Sequence, residues 1–490
     1  MNNGISATGG GKRFYITTAI DYVNAKPHVG HAAEKVQADV LARYHREVLE
    51  DETFFLSGSD ENSLKNVQGA KKTGKSVEDF VAENAGYFQG LKEQLNLSYD
   101  SFIRTTEKRH FDGAQKLWAA FDPKDIYKKN YQGLYCIGCE EFKMEKDLVD
   151  GKCPEHNCEP ETVEEENYFF KLSNYQARLK ELIEKDVIKI LPSFRKNEML
   201  GFINQGLEDF SISRSRKRAE NWGVPVPGDE DQIMYVWVDA LSNYITALDF
   251  ATEGDLFKKY WIENENRVHV IGKGILRFHT IYWPAMLLSA GLPVPTSVLS
   301  HEYLTIGGKK ISKTLGNVIE PQEIVDKFGV DGARYLLLSS LPYRSDGDIS
   351  WERMVEKYNA DLANGLGNLV SRIIKLSQGM NFDFTETEIV NAMLENDEVS
   401  IQHYLDEFDI ERALVLLMLR VRESNKFIEE NKPWELAKNN VKKFGEVMKK
   451  LNLDLLVIAN LLVPFLPDTA KKIKAALETK QTNILFQRIK

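Results

Sequence analysis

The sequence predicts an α/β protein in which a parallel-sheet domain is split by an inserted segment and followed by an α-helical bundle. β-rich runs alternate with helical stretches over residues 13–121 and again over residues 232–300. Such alternation is typical of a parallel sheet, because parallel strands are usually joined by a helix. Residues 122–231 break the pattern and carry all four cysteines, and after residue 350 the apolar spacing is that of long amphipathic helices.

The N-terminal elements form one strand–helix–strand unit. Residues 13–19 are β-rich, an amphipathic helix is predicted over residues 30–50, and a second strand covers residues 53–59 and ends at Asp60. Ligands of parallel sheets bind at the carboxyl ends of the strands. Asp60 and the turn before the helix both lie at such ends, so we expect a ligand there.

Strands and helices alternate again beyond the insert. We predict an aromatic-rich segment, a strand, a helix and another strand, at residues 234–248, 267–271, 277–291 and 297–299. A short helix is expected to begin near Pro321 and end at Gly329, the usual placement of these two residue types. Three long amphipathic stretches then predict the bundle, at residues 350–378, 408–430 and 441–463.

Composition and charge restrict the class of protein. The chain has 490 residues, 43% of them hydrophobic, as in a globular protein of several domains, and no apolar run is long enough to span a membrane. Residues 1–12 are polar and Gly-rich without signal-peptide character, so we expect a disordered leader and a cytoplasmic protein. A net charge of −10 argues against general coating of nucleic acid, DNA included, but leaves room for a specific RNA partner.

Two histidines flank a glycine in the turn before the first helix, in the sequence Pro27-His28-Val29-Gly30-His31. Free N–H groups and the helix dipole attract an anion to a helix N-terminus, and Gly30 lets a ligand approach the backbone. Imidazole N–H groups can then stabilise charge that develops on an α-phosphate. The alternative is a pair of capping histidines without a ligand.

A lysine-rich loop with the sequence GGKKISKT occupies residues 307–314. Its two glycines permit rearrangement, and its ammonium groups can neutralise the phosphates of a leaving pyrophosphate. Taken alone, the loop is equally compatible with a solvated basic turn. Together with the two histidines, it indicates a site that holds a triphosphate while the α-phosphorus is attacked.

These two motifs are the signature of class I aminoacyl-tRNA synthetases, and the chain closely resembles the methionyl-tRNA synthetase family within that class. The resemblance extends over nearly the whole chain from Phe14. It rests on segments in the family's order: FYITTAIDYVNAKPHVGHA, SGSDEN, YCIGCE, CPEH, EEENYFFKLS, WGVPVPGD, YVWVDALSNY, FHTIYWPAML, KISKTLGN and NKPW.

The resemblance implies which residues act on ATP. The implied catalytic residues are the two histidines and two lysines of the motifs, His28, His31, Lys310 and Lys313. Contacts with ATP are implied for these four and also for Gly30, Lys273 and Ser312. The implied cofactors are ATP as a substrate, Mg²⁺ and one structural Zn²⁺.

The resemblance also implies a methionine pocket. Asp60 would pair with the substrate α-ammonium, Ile275 would add an apolar wall, and His279 would donate to the sulfur. Aromatic side chains suit a flexible thioether because sulfur–aromatic contacts are favourable; the alternative is an ordinary aromatic core. The other implied pocket residues are Ala19, Ile20, Tyr22, Trp237, Leu241, Tyr244 and Trp283.

The cysteine cluster has the spacing of a zinc knuckle. Cys136-x2-Cys139 is followed, after thirteen residues, by Cys153-x2-His156, and thiolates with one imidazole suit a closed tetrahedral site. In the family such a knuckle is structural and belongs to an inserted connective domain. We therefore predict Cys136, Cys139, Cys153 and His156 as ligands, while Cys158 leaves a four-cysteine site open. Four reduced thiols without a metal are the remaining alternative.

A polar helix face follows in the C-terminal region. Asn364, Asn368 and Arg372 recur every four residues, so they share one face of the helix predicted over residues 350–378. In the family these positions, with Trp434, read the methionine anticodon CAU. Amides can hydrogen-bond single-stranded bases and an indole can stack on one. Without the resemblance, a polar helix face and a core Trp would be the plainer interpretation.

Two family motifs are altered in this chain. The family's Gly-Thr-Asp-Glu-His-Gly reads Gly-Ser-Asp-Glu-Asn-Ser, with Asn62 in place of histidine. The family's Gly-Lys-Asp-Ile has Gly274 in place of the aspartate. These departures put nucleotide contacts in question, not the activity.

The resemblance implies a methionine–tRNA ligase. Methionine would attack the α-phosphorus of Mg-ATP, giving methionyl-adenylate and pyrophosphate, and would then pass to the 3′-terminal adenosine of tRNA(Met), initiator included. The alternatives are another class I synthetase, of the cysteinyl or leucyl type, and a catalytically silent tRNA-binding protein. The expected partners are tRNA(Met) and L-methionine, without a membrane or DNA. We expect a monomer, because we see no appended β-barrel after the helical region.

The implied architecture is a Rossmann-like catalytic domain, split by the connective domain and followed by a helical anticodon-binding domain. The predicted boundaries are residues 1–12 for the leader, 13–121 and 232–300 for the catalytic halves, 122–231 for the connective domain with its zinc knuckle, 301–350 for a linking region with the lysine loop, and 351–490 for the anticodon-binding domain.

Overall fold

The structure is a computed structural model that describes residues 11–137, 141–143, 145–154, 157–311, 317–342, 345–394, 400–481 and 484–490. Several sequence predictions concern residues outside these ranges, namely most of the leader, Cys139, His156, Ser312 and Lys313. Of Lys310, only the backbone is described.

The described β-strands vary from two to eleven residues in length. In chain order they are β1 Arg13–Thr18, β2 Asp21–Tyr22, β3 Glu52–Asp60, β4 Ser101–Arg104, β5 Ile126–Cys136, β6 Glu141–Lys143, β7 Glu161–Phe170, β8 Lys189–Leu191, β9 Phe210–Ser211, β10 Ser213–Ser215, β11 Pro225–Val226, β12 Asp229–Met234, β13 Arg267–Gly272, β14 Ser297–His301, β15 Leu304–Ile306, β16 Lys309–Lys310 and β17 Gly347–Ile349.

The α-helices alternate with the early strands and dominate the C-terminal third. They are α1 Val29–Arg43, α2 Leu64–Thr73, α3 Val77–Gln94, α4 Lys108–Ala120, α5 Gln176–Glu184, α6 Ser193–Asn204, α7 Val236–Thr246, α8 Asp255–Phe257, α9 Trp283–Ser289, α10 Pro321–Phe328, α11 Val330–Ser339, α12 Trp351–Lys357, α13 Asn368–Leu376, α14 Glu386–Leu394, α15 Ile401–Asp406, α16 Ile410–Asn431, α17 Pro433–Asn439, α18 Val441–Leu462 and α19 Pro467–Thr479. Among the residues that the structure describes, four π-helical stretches adjoin them, at Tyr44–Val48, Lys258–Ile262, Phe278–Tyr282 and Tyr358–Gly367.

The principal sheet is parallel throughout, with strand order β2-β3-β1-β13-β14-β8 and with β4 also paired to β3. Its central strand β1 is buried from Phe14 to Thr18, as expected for a strand covered on both faces. The α/β prediction with a parallel sheet is therefore confirmed. Strand β8 is a three-residue segment of the predicted insert, too short to be recognised from its sequence pattern.

The rest of the predicted insert is largely antiparallel. One sheet has the order β6-β5-β7-β9, and a second has the order β10-β12-β11. A third small sheet, β16-β15-β17, lies in the predicted linking region and carries the first residues of the lysine loop. No helix among the described residues is long and apolar enough to cross a membrane.

The chain folds as two compact units. The first unit consists of Met1–Pro27, Glu52–Lys92 and Tyr99–His301, and it contains the parallel sheet. The second consists of His28–Asp51, Glu93–Ser98 and Glu302–Lys490, and it contains helix α1 and the C-terminal helices. The predicted helical region is confirmed, since α16 and α18 nearly coincide with the predicted stretches and α12, the last π-helical stretch and α13 together fill residues 351–376.

A buried ion pair fixes helix α1 within the second unit. Arg334 on α11 is fully buried and lies 2.8 Å from the Asp39 carboxylate, and its guanidinium also donates to the backbone carbonyls of Leu95, Pro464 and Phe465. Burial alone would raise the pKa of Asp39, but Arg334 and Arg43 outweigh it and hold that pKa below its usual value. The helix that begins with the two motif histidines is thus anchored by charge as well as by packing.

Candidate active site

His28 and His31 form the cap of helix α1. The His28 Nδ1 accepts a hydrogen bond from the Gly30 N–H, and the His31 Nδ1 accepts one from the His28 N–H, both at 3.1 Å. The two rings stack with their centroids 3.8 Å apart. Because each Nδ1 accepts, the Nε2 carries the proton in each neutral ring. The pair therefore presents Nε2–H donors at the positive end of the helix.

The surroundings of His31 keep it neutral. Desolvation lowers the pKa of His31, and the nearby Lys35 ammonium lowers it further, against a smaller opposing effect of Glu34. A neutral imidazole with its proton on Nε2 still donates one hydrogen bond, so it can stabilise negative charge without first being protonated. The predicted role as a donor to a phosphate fits this state.

Gly30 is required by the packing of the cap. A Cβ atom at this position would stand 2.9 Å from Cε1 and 3.1 Å from Nδ1 of His28. Any larger residue would therefore push the His28 ring away from its hydrogen bond.

The lysine loop begins at a tight turn within the same unit. Gly307 and Gly308 both have positive φ, at +60° and +71°, which is the conformation of a two-residue hairpin turn. The turn is tied down because the Gly308 N–H donates to the Asp348 carboxylate at 2.7 Å. Beyond the loop, the Ile319 carbonyl accepts from the Val29 N–H at 3.1 Å. The first turn of α1 thus touches the chain five residues after Thr314, the last residue of the loop motif.

Asp60 ends strand β3 in the first unit, as predicted, and is buried there. Its carbonyl accepts from the Asn66 amide at 2.9 Å. The next residue, Glu61, is fully buried and receives two hydrogen bonds from the Arg104 guanidinium, at 2.7 and 3.0 Å. Hydrogen bonds therefore fix both the carbonyl of Asp60 and the side chain of the residue that follows it.

Asn62, which replaces the family's histidine, is an internal anchor. Its amide donates to the Asp239 carboxylate at 2.8 Å and to the Thr105 carbonyl at 3.0 Å. The other carboxylate oxygen of Asp239 lies 2.5 Å from the His110 Nε2. These contacts tie the turn after Asp60 to helix α7. The pattern of the sequence alone did not single out Asp239 or His110.

The implied methionine-pocket residues meet in one apolar cluster of the first unit. Tyr244 and Trp283 are among its largest fully buried side chains. The buried members are Ala19, Leu241, Tyr244 and Trp283, and the partly buried ones are Ile20, Tyr22, Trp237 and Ile275. Trp237 stacks face to face on Phe278, with ring centroids 3.7 Å apart. The partly buried members pack against the buried part of this cluster.

His279 is engaged through both ring nitrogens in this structure. Its Nδ1 donates to the Ile275 carbonyl at 2.9 Å, so its Nε2 accepts from the Tyr244 hydroxyl at 2.7 Å. The Tyr15 hydroxyl in turn donates to the Tyr244 carbonyl at 2.7 Å. Donation from His279 to a substrate sulfur, as the sequence suggested, would require Tyr244 to release this bond and the ring to exchange its proton.

His269 is a further buried histidine of this cluster that the sequence analysis missed. Its Nδ1 lies 2.8 Å from the Thr17 hydroxyl, and its ring centroid lies 4.1 Å from that of Tyr244. Burial lowers the pKa of His269 well below its usual value. A single histidine inside the apolar strand sequence RVHVI was the available signal.

Three of the four cysteines fall within the described residues. Cys136 and Cys153 are buried, and the Sγ atoms of Cys136 and Cys158 lie 3.8 Å apart. Cys139 and His156 lie outside the described residues. Across the described part of the chain, no group of three or more His, Cys, Asp and Glu side chains is placed to hold a metal ion.

The implied anticodon residues all belong to the second unit, and two of them, Arg372 and Trp434, are in contact. The Arg372 guanidinium is 5.5 Å from the centroid of the Trp434 ring and bonds to the Glu429 carboxylate at 2.6 Å. Asn364 and Asn368 are exposed at the junction of the last π-helical stretch with α13, and Trp434 keeps 38% of its surface exposed. π-helical turns are often found at functional sites.

Protein-family models cover almost the whole chain. The model of tRNA synthetases class I (M) matches residues 14–162 and 156–374, and the model of the anticodon binding domain of methionyl tRNA ligase matches residues 377–488. The matches follow the order of the two regions predicted from the sequence.

Individual relatives and a solved structure indicate the same family as these models. The methionine–tRNA ligase of Caldanaerobacter subterraneus subsp. tengcongensis is 42% identical over 474 residues, which cover 94% of this chain and 73% of that protein. The Brucella suis methionine–tRNA ligase is 40% identical, with coverage of 94% and 91%. The crystal structure of Mycobacterium tuberculosis methionyl-tRNA synthetase bound by methionyl-adenylate has a TM-score of 0.85 at 36% identity and covers 94% of each chain. This chain therefore belongs to the methionyl-tRNA synthetase family of class I aminoacyl-tRNA synthetases.

Proposed function

We propose that the chain carries out its methionine–tRNA ligase reaction with the histidine cap of α1 and the lysine loop acting on ATP. Asp60 and the apolar cluster around Tyr244 and Trp283 are proposed to bind methionine, and the exposed polar face near Trp434 is proposed to bind the anticodon. The observation that carries this proposal is the hydrogen bond from Val29 to Ile319, which joins the histidine cap of α1 to the chain just beyond the lysine loop. Val29 and Ile319, 290 residues apart in the sequence, are thereby neighbours in the second unit, which supports a common site for the two motifs.

In the first step, a carboxylate oxygen of methionine attacks the α-phosphorus of ATP. A new oxygen–phosphorus bond forms, the bond to the β-phosphate oxygen breaks, and pyrophosphate leaves. The Nε2–H groups of His28 and His31 donate to the α-phosphate oxygens, where negative charge grows in the transition state. The ammonium groups of Lys310 and Lys313 neutralise the departing phosphates, the Ser312 hydroxyl donates a hydrogen bond to them, and Mg²⁺ would supply further charge neutralisation there. No covalent enzyme intermediate is needed.

Methionine is held by groups of the first unit. Asp60 pairs with the α-ammonium, because its carboxylate stands at the carboxyl end of a parallel strand, where such sheets bind ligands. The partly buried side chains of Ile20, Tyr22, Trp237 and Ile275 cover the thioether, whose sulfur makes favourable contacts with aromatic rings. Trp237 already stacks on Phe278, so an aromatic surface is present without rearrangement.

In the second step, the terminal ribose of tRNA(Met) attacks the carbonyl of the adenylate, and AMP leaves. Arg372 and Trp434 are proposed to recognise the anticodon, since a guanidinium beside a partly exposed indole offers both hydrogen bonding and stacking. The exposed amides of Asn364 and Asn368 add hydrogen bonds to base edges. Both elongator and initiator tRNA(Met) are proposed substrates.

The remaining expectations stay predictions. A structural Zn²⁺ would tie the cysteine-rich segment together, and the chemistry of its buried thiols fits that metal. ATP is the nucleotide substrate of this family's reaction, whereas Mg²⁺, the monomeric state and a cytoplasmic location are proposed from the sequence.

The role of the histidine cap is tested by substitution. His31→Ala removes one donor to the α-phosphate, and loss of one such donor costs about 10²–10³ in rate. ATP–pyrophosphate exchange with methionine should fall by that factor. His45→Ala provides the control, because His45 lies in the same unit but contacts Asp51. Wild-type exchange by His31→Ala, or equal losses in both variants, would contradict the assignment.

A further inference from the structure

We propose that a cavity in the second unit is a binding site for a small apolar carboxylic acid. The cavity has a volume of about 290 Å³ and lies beside the C-terminal end of helix α1. Its lining comes from the π-helical turn Tyr44–Val48, the helices α14 and α15, and the segment that leads from the end of α18 into α19. These residues are separate from those assigned above to ATP, methionine and the anticodon.

The walls of the cavity are mostly apolar. Binding sites for small molecules have this character, with a few polar groups that orient the ligand. Val48 keeps 37% of its surface exposed, so the cavity opens to solvent on that side. The apolar lining includes Val48, Met393, Ile401, Leu405, Val463 and Pro464.

Three polar side chains of the lining have no partner within the described part of the chain. The half-buried ammonium of Lys474 forms neither a hydrogen bond nor an ion pair there, and the side-chain amides of Gln402 and Asn460 form no hydrogen bond. Hydrogen bonds between an ammonium and a carboxylate are stronger than those between neutral groups. A carboxylate is therefore the ligand group that Lys474 favours, and the two amides can donate to polar atoms of the same ligand.

The charges around the cavity also favour an acid over a base. Among the described residues that line it, Glu47 has the only carboxylate, and the Arg43 guanidinium donates to that carboxylate at 2.8 Å. The negative charge of Glu47 is thus balanced within the protein. The Lys474 ammonium is left as the charge that a ligand can balance.

Hydrogen bonds fix two walls of the cavity. The Tyr44 hydroxyl donates to the Asp406 carboxylate at 2.7 Å, which ties the π-helical turn to the end of α15. The Arg334 guanidinium donates to the Pro464 carbonyl at 3.1 Å, which fixes the turn between α18 and α19. Preformed walls lower the entropy cost of binding a ligand, and π-helical turns are frequent at functional sites.

The volume of the cavity sets the size of the ligand. An apolar cavity of about 150 Å³ in another protein holds one benzene molecule. A cavity of about 290 Å³ therefore accommodates roughly twice as many non-hydrogen atoms, about twelve. 4-Phenylbutyrate has this size and carries a single carboxylate, so it is a suitable probe. 4-Phenylbutanol has nearly the same shape without the charge. The alternative to a binding site is a water-filled gap between helices.

The experiment is a ligand-observed NMR titration of the full chain with each probe. Saturating methionine is present throughout to keep the probes out of the amino-acid pocket. Lys474→Met removes the ammonium, and Lys472→Met is its matched control, an exposed lysine of the same helix outside the cavity. Val48→Trp fills the cavity from its partly exposed edge. Circular dichroism and thermal unfolding verify that each variant is folded.

We expect the wild type to bind 4-phenylbutyrate with a Kd of about 2 mM or lower, the affinity that a ligand of this size reaches at the efficiency of drug-sized molecules. Lys474→Met should bind it about tenfold more weakly, because a charge-assisted hydrogen bond is lost. The wild type should bind 4-phenylbutanol more weakly than the acid by a similar factor. Lys472→Met should keep wild-type affinity, and Val48→Trp should lose saturable binding of both probes.

Three results would overturn the proposal. If the wild type shows no saturable binding of 4-phenylbutyrate, the cavity is a water-filled gap. Equal affinities of the wild type for the acid and the alcohol, or equal losses in Lys474→Met and Lys472→Met, would remove the carboxylate–ammonium pairing. Undiminished binding by folded Val48→Trp would place the probe outside this cavity.

Discussion

Asn62→Ala tests whether the altered motif after Asp60 anchors the methionine site or contacts the nucleotide. The substitution removes one hydrogen bond to the Asp239 carboxylate and one to the Thr105 carbonyl. A bond to a charged group contributes about 1.5–3 kcal/mol and a neutral one about 0.5–1.5 kcal/mol, so the lost stabilisation is about 2–4 kcal/mol. Only part of this energy acts on the position of Asp60.

The expected effect of Asn62→Ala on methionine binding follows from the short distance along the chain between Asn62 and Asp60. Asp60 stands two residues before Asn62, and a loosened turn would weaken its pairing with the substrate ammonium. If half of the lost energy appears in methionine binding, the KM for methionine rises about 5- to 30-fold, since 1.4 kcal/mol is a factor of ten. The KM for ATP should stay unchanged, because the amide N–H groups of Asn62 donate to Asp239 and Thr105 within the protein.

The assay is ATP–pyrophosphate exchange with methionine and ATP varied separately, together with thermal unfolding. Asn264→Ala is a matched control, since Asn264 is a buried asparagine of the same unit whose amide donates to the Tyr260 and Asn266 carbonyls. The control should lose stability without a change in the KM for methionine. A raised KM for ATP in Asn62→Ala, or equal changes in the KM for methionine in both variants, would refute the reasoning.

Three further predictions concern the second unit. Gly30→Ala should reduce pyrophosphate exchange by about tenfold or more, because the new Cβ displaces the His28 ring from its place beside the helix N-terminus; an unchanged rate would show that the position of that ring is unimportant. Trp434→Ala should leave pyrophosphate exchange intact and weaken tRNA charging, since stacking on one base contributes about 1–3 kcal/mol; unchanged charging would remove this residue from the anticodon site. Asp39→Asn should lower the free energy of unfolding by about 3–5 kcal/mol at neutral pH, because it leaves the Arg334 charge buried without its partner. The lowered pKa of Asp39 means that this stabilisation is complete above its unfolded pKa and is lost as pH falls through the lower folded value, so the difference from wild type should shrink in acid. A difference that does not depend on pH would contradict that account.

The sequence predicted the elements whose patterns are long and periodic. The helices at Ile410–Asn431 and Val441–Leu462 differ from their predicted ends by two residues at most. The strands β1 and β3 were equally clear, because each contains a short run of aromatic and branched apolar residues with high strand propensity. Strand β8 was missed since three residues carry no recognisable period.

The sequence also named most of the candidate site residues through its motifs. His28, Gly30 and His31 could be named because they stand next to each other at a helix start. The partners that fix a side chain lie far away in the sequence, as Asp239 does from Asn62, and no local pattern reports such pairs. For the same reason, the engagement of His279 by Tyr244 could not be foreseen.

The predicted zinc knuckle shows that the spacing of cysteines and histidines along the chain does not by itself identify all four metal ligands. Cys-x2-His and Cys-x4-Cys are both acceptable ligand spacings, so the sequence could not decide between His156 and Cys158. Cys139 and His156 lie outside the described residues, so the ligand set stays a prediction from the sequence.

The most direct test of the central claim is ATP–pyrophosphate exchange measured with each of the twenty amino acids, in the presence of Mg²⁺ and without tRNA. The account predicts exchange with methionine alone, because the pocket and the phosphate-binding groups act together before tRNA is needed. Exchange with a different amino acid would contradict the methionine pocket. No exchange from folded, zinc-replete protein would contradict the catalytic assignment itself.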